Sequence, residues 1–138
     1  MTRTEMREEA FKLLYSLEIQ KENKEEQIDL FIENNKIQEK RTIEYIKDII
    51  SGIEANKVEI LEYINRNLKK DWTIDRISIA NLVILKLAIY EIVYNKIPYK
   101  AGIDEAVKLG KKYGEESSKL FINGILASLV KELGLEEN

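Results

Sequence analysis

Apolar residues recur along this chain at intervals of three and four, the spacing that gathers side chains onto one face of an α-helix. Over residues 4–19 the stripe is Met6, Ala10, Leu13, Leu14 and Leu17, with charged residues opposite. The polar run Gln20-Lys21-Glu22-Asn23-Lys24 ends that helix, and a short second one carries Ile28, Phe31 and Ile32 as far as Asn34-Asn35-Lys36. A third segment, 40–68, repeats the pattern with Ile43, Ile46, Ile50, Ile53, Leu61, Ile64 and Leu68. Gly52 inside it predicts a bend or a close contact with another helix, since glycine there costs about 1 kcal/mol relative to alanine. Lys69-Lys70-Asp71 reads as the boundary between two lobes.

Over 74–94 the apolar residues cover nearly the whole circumference, which places that helix in the middle of a bundle. Residues 95–100 are expected to turn, because Pro98 has no N–H to donate and biases Ile97 away from helix. A helix over 103–113 then meets Gly114, in the position of a left-handed cap. The last helix, 117–133, starts at Ser117 as N-cap, directs Ile122, Ile125, Leu126, Leu129 and Val130 inward, and stops before Gly134. The expectation is an all-α fold of six or seven helices in two small bundles. These form one compact domain, with an N-terminal lobe over about 1–70 and a C-terminal lobe over about 71–138.

Composition narrows the chemistry. The chain has 138 residues with 44% hydrophobic content, enough for one ordinary core. It has no cysteine and no histidine, which excludes disulfides, thiolate or imidazole metal sites and a Ser/His/Asp triad. Adjacent carboxylates such as Asp104 and Glu105 diverge by about 100° on a helix and seldom share a substrate. No catalytic constellation emerges, so neither an enzyme nor a cofactor is expected. The polar start lacks the apolar core of a secretory signal. Ser78, Asn81, Lys86, Tyr90 and Glu91 interrupt the stretch 77–93 and disqualify it as a membrane span, so the expected location is cytoplasmic. The net charge of −3 neither invites nor forbids a nucleic-acid partner, because binding depends on where the cations sit.

Several motifs in fixed order make the chain resemble a known family. They are Trp72-Thr73-Ile74-Asp75-Arg76, then Ile84-Leu85-Lys86-Leu87-Ala88-Ile89-Tyr90-Glu91, then Ile97-Pro98-Tyr99-Lys100. The order continues through the run from Ile103-Asp104-Glu105-Ala106 to Lys112-Tyr113-Gly114, and through Phe121-Ile122-Asn123-Gly124-Ile125-Leu126. With Arg7-Glu8-Glu9-Ala10 and Leu14-Tyr15 at the front, the whole chain resembles the NusB family. The resemblance implies an all-helical fold of two bundles that binds a boxA element of single-stranded RNA. It implies pairing with NusE, a ribosomal protein of the small subunit, and loading with other Nus factors onto transcribing RNA polymerase. The implied role is suppression of premature termination, notably in ribosomal RNA operons.

Candidate sites follow. Arg3 and Arg7, four apart on one helix face, can both reach phosphate oxygens; by the resemblance they are RNA contacts. Read alone, two arginines amid Glu5, Glu8 and Glu9 are surface ion pairs. Lys100 follows the Pro98-Tyr99 turn, and Tyr99 offers a flat face on which a base can stack. Ser117, Lys119 and Phe121 form a third group at a helix start, where Phe121 is either a stacking ring or core. Trp72 is expected to anchor packing at the lobe junction, and Glu91 to satisfy a nearby helix end. Asn81 and Lys86, the polar breaks in the apolar helix, are candidate contacts for NusE. An exposed helix face serves a homodimer as readily as a partner protein. Only Arg3 and Arg7 stand where the family has an arginine cluster. A helical protein-interaction module with little RNA affinity of its own is therefore the second reading.

Overall fold

The structure, a computed structural model, describes residues 1–137. Its α-helices are α1 (Arg3–Ile19), α2 (Lys24–Asn34), α3 (Lys40–Ala55), α4 (Lys57–Arg66), α5 (Ile79–Ile89), α6 (Tyr99–Tyr113) and α7 (Ser118–Glu132). A 3-10 turn (Ile74–Arg76) leads into α5, and α5 widens at its end into a π turn (Tyr90–Tyr94). There is no strand among the described residues.

Helix α5 is apolar nearly all round and takes the central position, packing on α1, α3, α4, α6 and α7. Helices α2 and α3 pack on α1, α4 packs on α3 and α5, and α6 and α7 pair with each other against α5. The buried side chains form one continuous cluster, from Met6 and Leu13 on α1, through Ile84 and Ile89, to Ile122 and Leu126 on α7. Side-chain caps set the starts of α1 and α5, the latter through Ser78 Oγ, which accepts from Asn81 N–H. Thr2 and Glu5 exchange a capping box at the head of α1: Glu5 N–H donates to Thr2 Oγ1 at 3.1 Å, and Thr2 N–H to Glu5 Oε1 at 2.7 Å.

Four local expectations need correcting. The long third segment breaks at Asn56 rather than bending at Gly52; both the backbone N–H and the side-chain amide of Asn56 donate to the Gly52 carbonyl, which closes α3. Helix α6 starts at Tyr99, four residues earlier than expected. Pro98 sits at its N-cap with φ −55°, where the missing N–H is not needed, so Tyr99 and Lys100 stand on the first helical turn. Gly114 is not a left-handed cap, since its φ is −94°. Glycine is required there because a Cβ would lie 2.3 Å from Ser118 Oγ and 2.8 Å from the Gly110 carbonyl oxygen. Ser117 has helical backbone angles and makes no capping bond; instead Ser118 Oγ, which is buried, accepts from Glu115 N–H at 2.8 Å. Gly134 does take the left-handed conformation, with φ 67°.

Candidate nucleic-acid interface

The stripe of α1 that faces the core includes Arg7, which is only 7% exposed. Its Nε lies 2.6 Å from Glu91 Oε1, its second terminal nitrogen 3.2 Å from Glu91 Oε2, and the other 3.5 Å from Glu105 Oε2. Tyr45 donates its hydroxyl to Glu91 Oε2 at 3.0 Å. Burial works against the Arg7 charge, but the Glu91 hydrogen bond and carboxylate outweigh it and keep the guanidinium protonated above its ordinary value. Burial and the Glu91 charge push the Tyr45 phenol up as well. Arg7 is thereby withdrawn from the candidate RNA contacts: its donors are spent on carboxylates brought together by α1, α6 and the π turn. Glu91 satisfies this arginine and tyrosine rather than a helix end. Three consecutive residues of the π turn, Tyr90, Glu91 and Ile92, are buried.

Arg3 is exposed; its guanidinium rests 4.6 Å above the Tyr45 ring, and it has no carboxylate at ion-pair distance among the described residues. Side chains join α1 to α6 in ascending order, Thr4 and Arg7 to Glu105, then Glu8 to Lys112 and Tyr113. The two helices therefore point the same way, and Arg3 lies toward the end of α6 that carries Tyr99 and Lys100. Lys100 is exposed and Tyr99 half-buried. The other group, Ser117, Lys119 and Phe121, lies at the opposite end of α6, where Lys119 N would stand 3.9 Å from a Cβ on Gly110, about 15 Å of helix rise from Lys100. Of the three groups expected, the structure sets Arg3 toward the Tyr99 and Lys100 end of α6 and keeps Ser117, Lys119 and Phe121 apart at the other end.

Between the clusters, Glu8 bridges Lys112, at 2.6 Å, and the Tyr113 hydroxyl. Those two hydrogen bonds hold its carboxyl below the usual glutamate range, while burial and Glu8 push the Tyr113 phenol up to about 12. A carboxylate held down in the folded state is protonated first in the unfolded chain. Its stabilisation is complete at neutral pH and drains away as pH falls through the ordinary range, about 4.3, toward the folded value. Urea unfolding at pH 7 and pH 4 checks this: Glu8→Gln should reduce the acid sensitivity of the midpoint, and an unchanged pH slope would refute the assignment.

Phe121 is half-buried, with its ring centre 6.1 Å from that of Trp72 and tilted 38° to it. Trp72 does not anchor the lobe junction: it is 44% exposed, with the Arg76 guanidinium 5.3 Å from its ring. Pattern reading missed both roles, because an aromatic beside a lobe boundary looks the same whether it points in or out. Ser117 and Lys119 are exposed, and Lys119 has no ion-pair partner among the described residues. Gly124 faces open space, not a packed helix.

Lys86 is largely covered, with Nζ 3.2 Å from Glu18 Oε2. It lines a cleft of about 750 Å³ with Leu14, Leu17, Ile28, Ile53 and Val83. Asn81 keeps a buried Oδ1 without a hydrogen-bond partner.

These features define an all-helical binding protein. The exposed chemistry of both clusters is cationic and aromatic, and no acidic cluster among the described residues could hold a metal ion. The chain belongs to the NusB family, whose model matches residues 4–131. It is 43% identical over 134 residues to the transcription antitermination protein NusB of Clostridium botulinum strain Alaska E43, covering 96% of this chain and 100% of that protein. Against the NusB of Acetivibrio thermocellus it is 46% identical over 132 residues, covering 95% and 90%. Among solved structures it superposes on T. maritima NusB with a TM-score of 0.86 at 35% identity, over 96% of this chain and 92% of that one. It also superposes on one chain of a structure of antitermination factors NusB and NusE in complex with double-stranded RNA, with a TM-score of 0.83 at 28% identity, over 96% of this chain and 99% of that one.

Proposed function

We propose that this protein is an RNA-binding transcription antitermination factor that takes boxA-type single-stranded RNA together with NusE. It joins other Nus factors on transcribing RNA polymerase and suppresses premature termination. The observation that carries the reading is end-to-end similarity to proteins named for antitermination, 96% of this chain against 100% of the C. botulinum relative. The similarity to the NusB of a complex with NusE and double-stranded RNA supports NusE and RNA as the two partner classes. The role is one of binding, not catalysis. Residues 1–138 act as one functional domain, with lobes 1–70 and 71–138. Arg3, Tyr99, Lys100, Ser117, Lys119 and Phe121 face RNA, while Lys86 and Asn81 mark the side offered to NusE. A cytoplasmic location goes with this role, and no helix among the described residues is long and apolar enough to cross a membrane.

The test is binding of a boxA oligonucleotide against a scrambled one, with and without NusE. Preference for boxA, strengthened by NusE, is expected; equal affinities in both conditions would defeat the proposal. Removing the charge of Arg3, Lys100 or Lys119 should each reduce the slope of log affinity against log salt by about 0.7, the share of one phosphate contact on a single strand.

The burial of Arg7 favours one second reading, since it leaves Arg3 as the exposed arginine of α1. In that reading the protein is a helical interaction module with little RNA affinity. Activity that survives Arg3→Glu with Lys100→Glu would select it.

A further inference from the structure

Trp72 is the chain's one tryptophan, and nearly half of it is in solvent. A single exposed apolar side chain is ordinary, but an aromatic ring set among unpaired cations is the arrangement that binds flat anionic ligands. Its surroundings say what it binds. The Arg76 guanidinium lies over the ring at 5.3 Å, and Phe121 flanks it from α7 at 6.1 Å with a 38° tilt, so the two rings diverge instead of stacking on each other. Lys69 and Lys70 precede Trp72 in the same loop, and Lys119 stands two residues before Phe121, all exposed. None of these three lysines, nor Arg76, has a carboxylate at ion-pair distance among the described residues. The acidic residues nearby in sequence are Asp71, Asp75, Glu115 and Glu116.

We propose that Trp72, flanked by Phe121 and Arg76, is a nucleobase-stacking platform that extends the RNA site beyond the start of α7. This rests on the RNA-binding reading above and adds to it two residues, Trp72 and Arg76, and a requirement for unpaired bases. The exposed part of the Trp72 ring, with the Arg76 guanidinium over it and further unpaired cations around it, matches a ligand that carries flat rings on an anionic backbone. A duplex keeps its base faces inside the stack and shows this surface only phosphates, so the platform selects single strands. A protein partner is the poorer match, because Lys69, Lys70, Asp71, Thr73, Asp75 and Arg76 around Trp72 are all exposed polar residues, whereas the centre of a protein interface is depleted in charge.

The single tryptophan makes the test direct. The full chain, labelled with fluorotryptophan and held with NusE, is titrated with a boxA-type RNA strand, the same strand carrying abasic sites, and its duplex. A fluorophore on the RNA reports affinity separately. Saturable movement of the Trp72 resonance with the intact strand is expected, together with about tenfold weaker binding by Trp72→Ala and near-normal binding by Trp72→Phe. The abasic strand should bind both variants alike. Tight binding of the intact strand with an unmoved resonance and an unaffected Trp72→Ala would overturn the platform while leaving the RNA-binding reading in place. So would a Trp72→Ala defect confined to NusE association. No binding of any strand by the unaltered complex would overturn both.

Discussion

Arg7→Ala is expected to lower the stability of the fold by about 3–5 kcal/mol, with no RNA present. The variant leaves Glu91 buried beside Tyr45 with its counter-ion gone and Glu105 short of a partner. An uncompensated carboxylate in that position costs far more than any exposed arginine contributes. The pair itself is not a large net source of stability, because desolvating both charges offsets much of their attraction. That gives the prediction a second half: Arg7→Met combined with Glu91→Leu should recover a substantial part of the loss, whereas either change alone should not. Denaturant unfolding of the four proteins closes the cycle. If Arg7→Ala kept its unfolding midpoint and lost only RNA affinity, the guanidinium would be a ligand contact and the buried network would be wrong.

Gly52→Ala carries the next largest effect and has an unusual sign. On an ordinary helix the change stabilises by up to about 1 kcal/mol. Here the added Cβ would lie 2.1 Å from both Cζ and Oη of Tyr90, whose hydroxyl is held by Asp48 Oδ2 at 3.2 Å. The ring is buried in the π turn and stacked on Tyr94 at 5.7 Å, so it cannot swing aside freely. Overpacking of this kind costs about 1–3 kcal/mol. In a Tyr90→Ala background the same substitution should turn from destabilising to neutral or favourable. Thermal melts of the single and double variants decide the matter, and an equal penalty in both backgrounds would place the strain elsewhere.

Gly52 was visible as an anomaly in a helical pattern, and the expected close contact is the one observed. Its partner was not visible, because Tyr90 is 38 positions away and reaches Gly52 only through the π turn. Spacing alone pairs Arg7 with Arg3, because side chains four positions apart share one helix face. The structure separates the pair by burial: Arg7 is buried against Glu91, while Arg3, at the helix start, lies over the Tyr45 ring with its side chain exposed. Trp72 and Phe121 show the same limit, since a separation of 49 positions hides a contact that α5, α6 and α7 bring about.

What the chain determined alone was its periodicity and its exclusions. Spacing of three and four named the helices and most of their buried faces, because a helix without a packed stripe cannot bury enough apolar surface to hold. The absence of cysteine and histidine removed whole classes of chemistry, and ordered motifs pointed to the family. What only the tertiary structure decided was which polar and aromatic groups are spent inside and which remain outside for a ligand. That choice depends on contacts between residues 40 to 105 positions apart, such as Arg7 with Glu91, Glu8 with Tyr113 and Trp72 with Phe121. Local propensity carries no information about such distances, and the burial energy that settles them is shared across all seven helices.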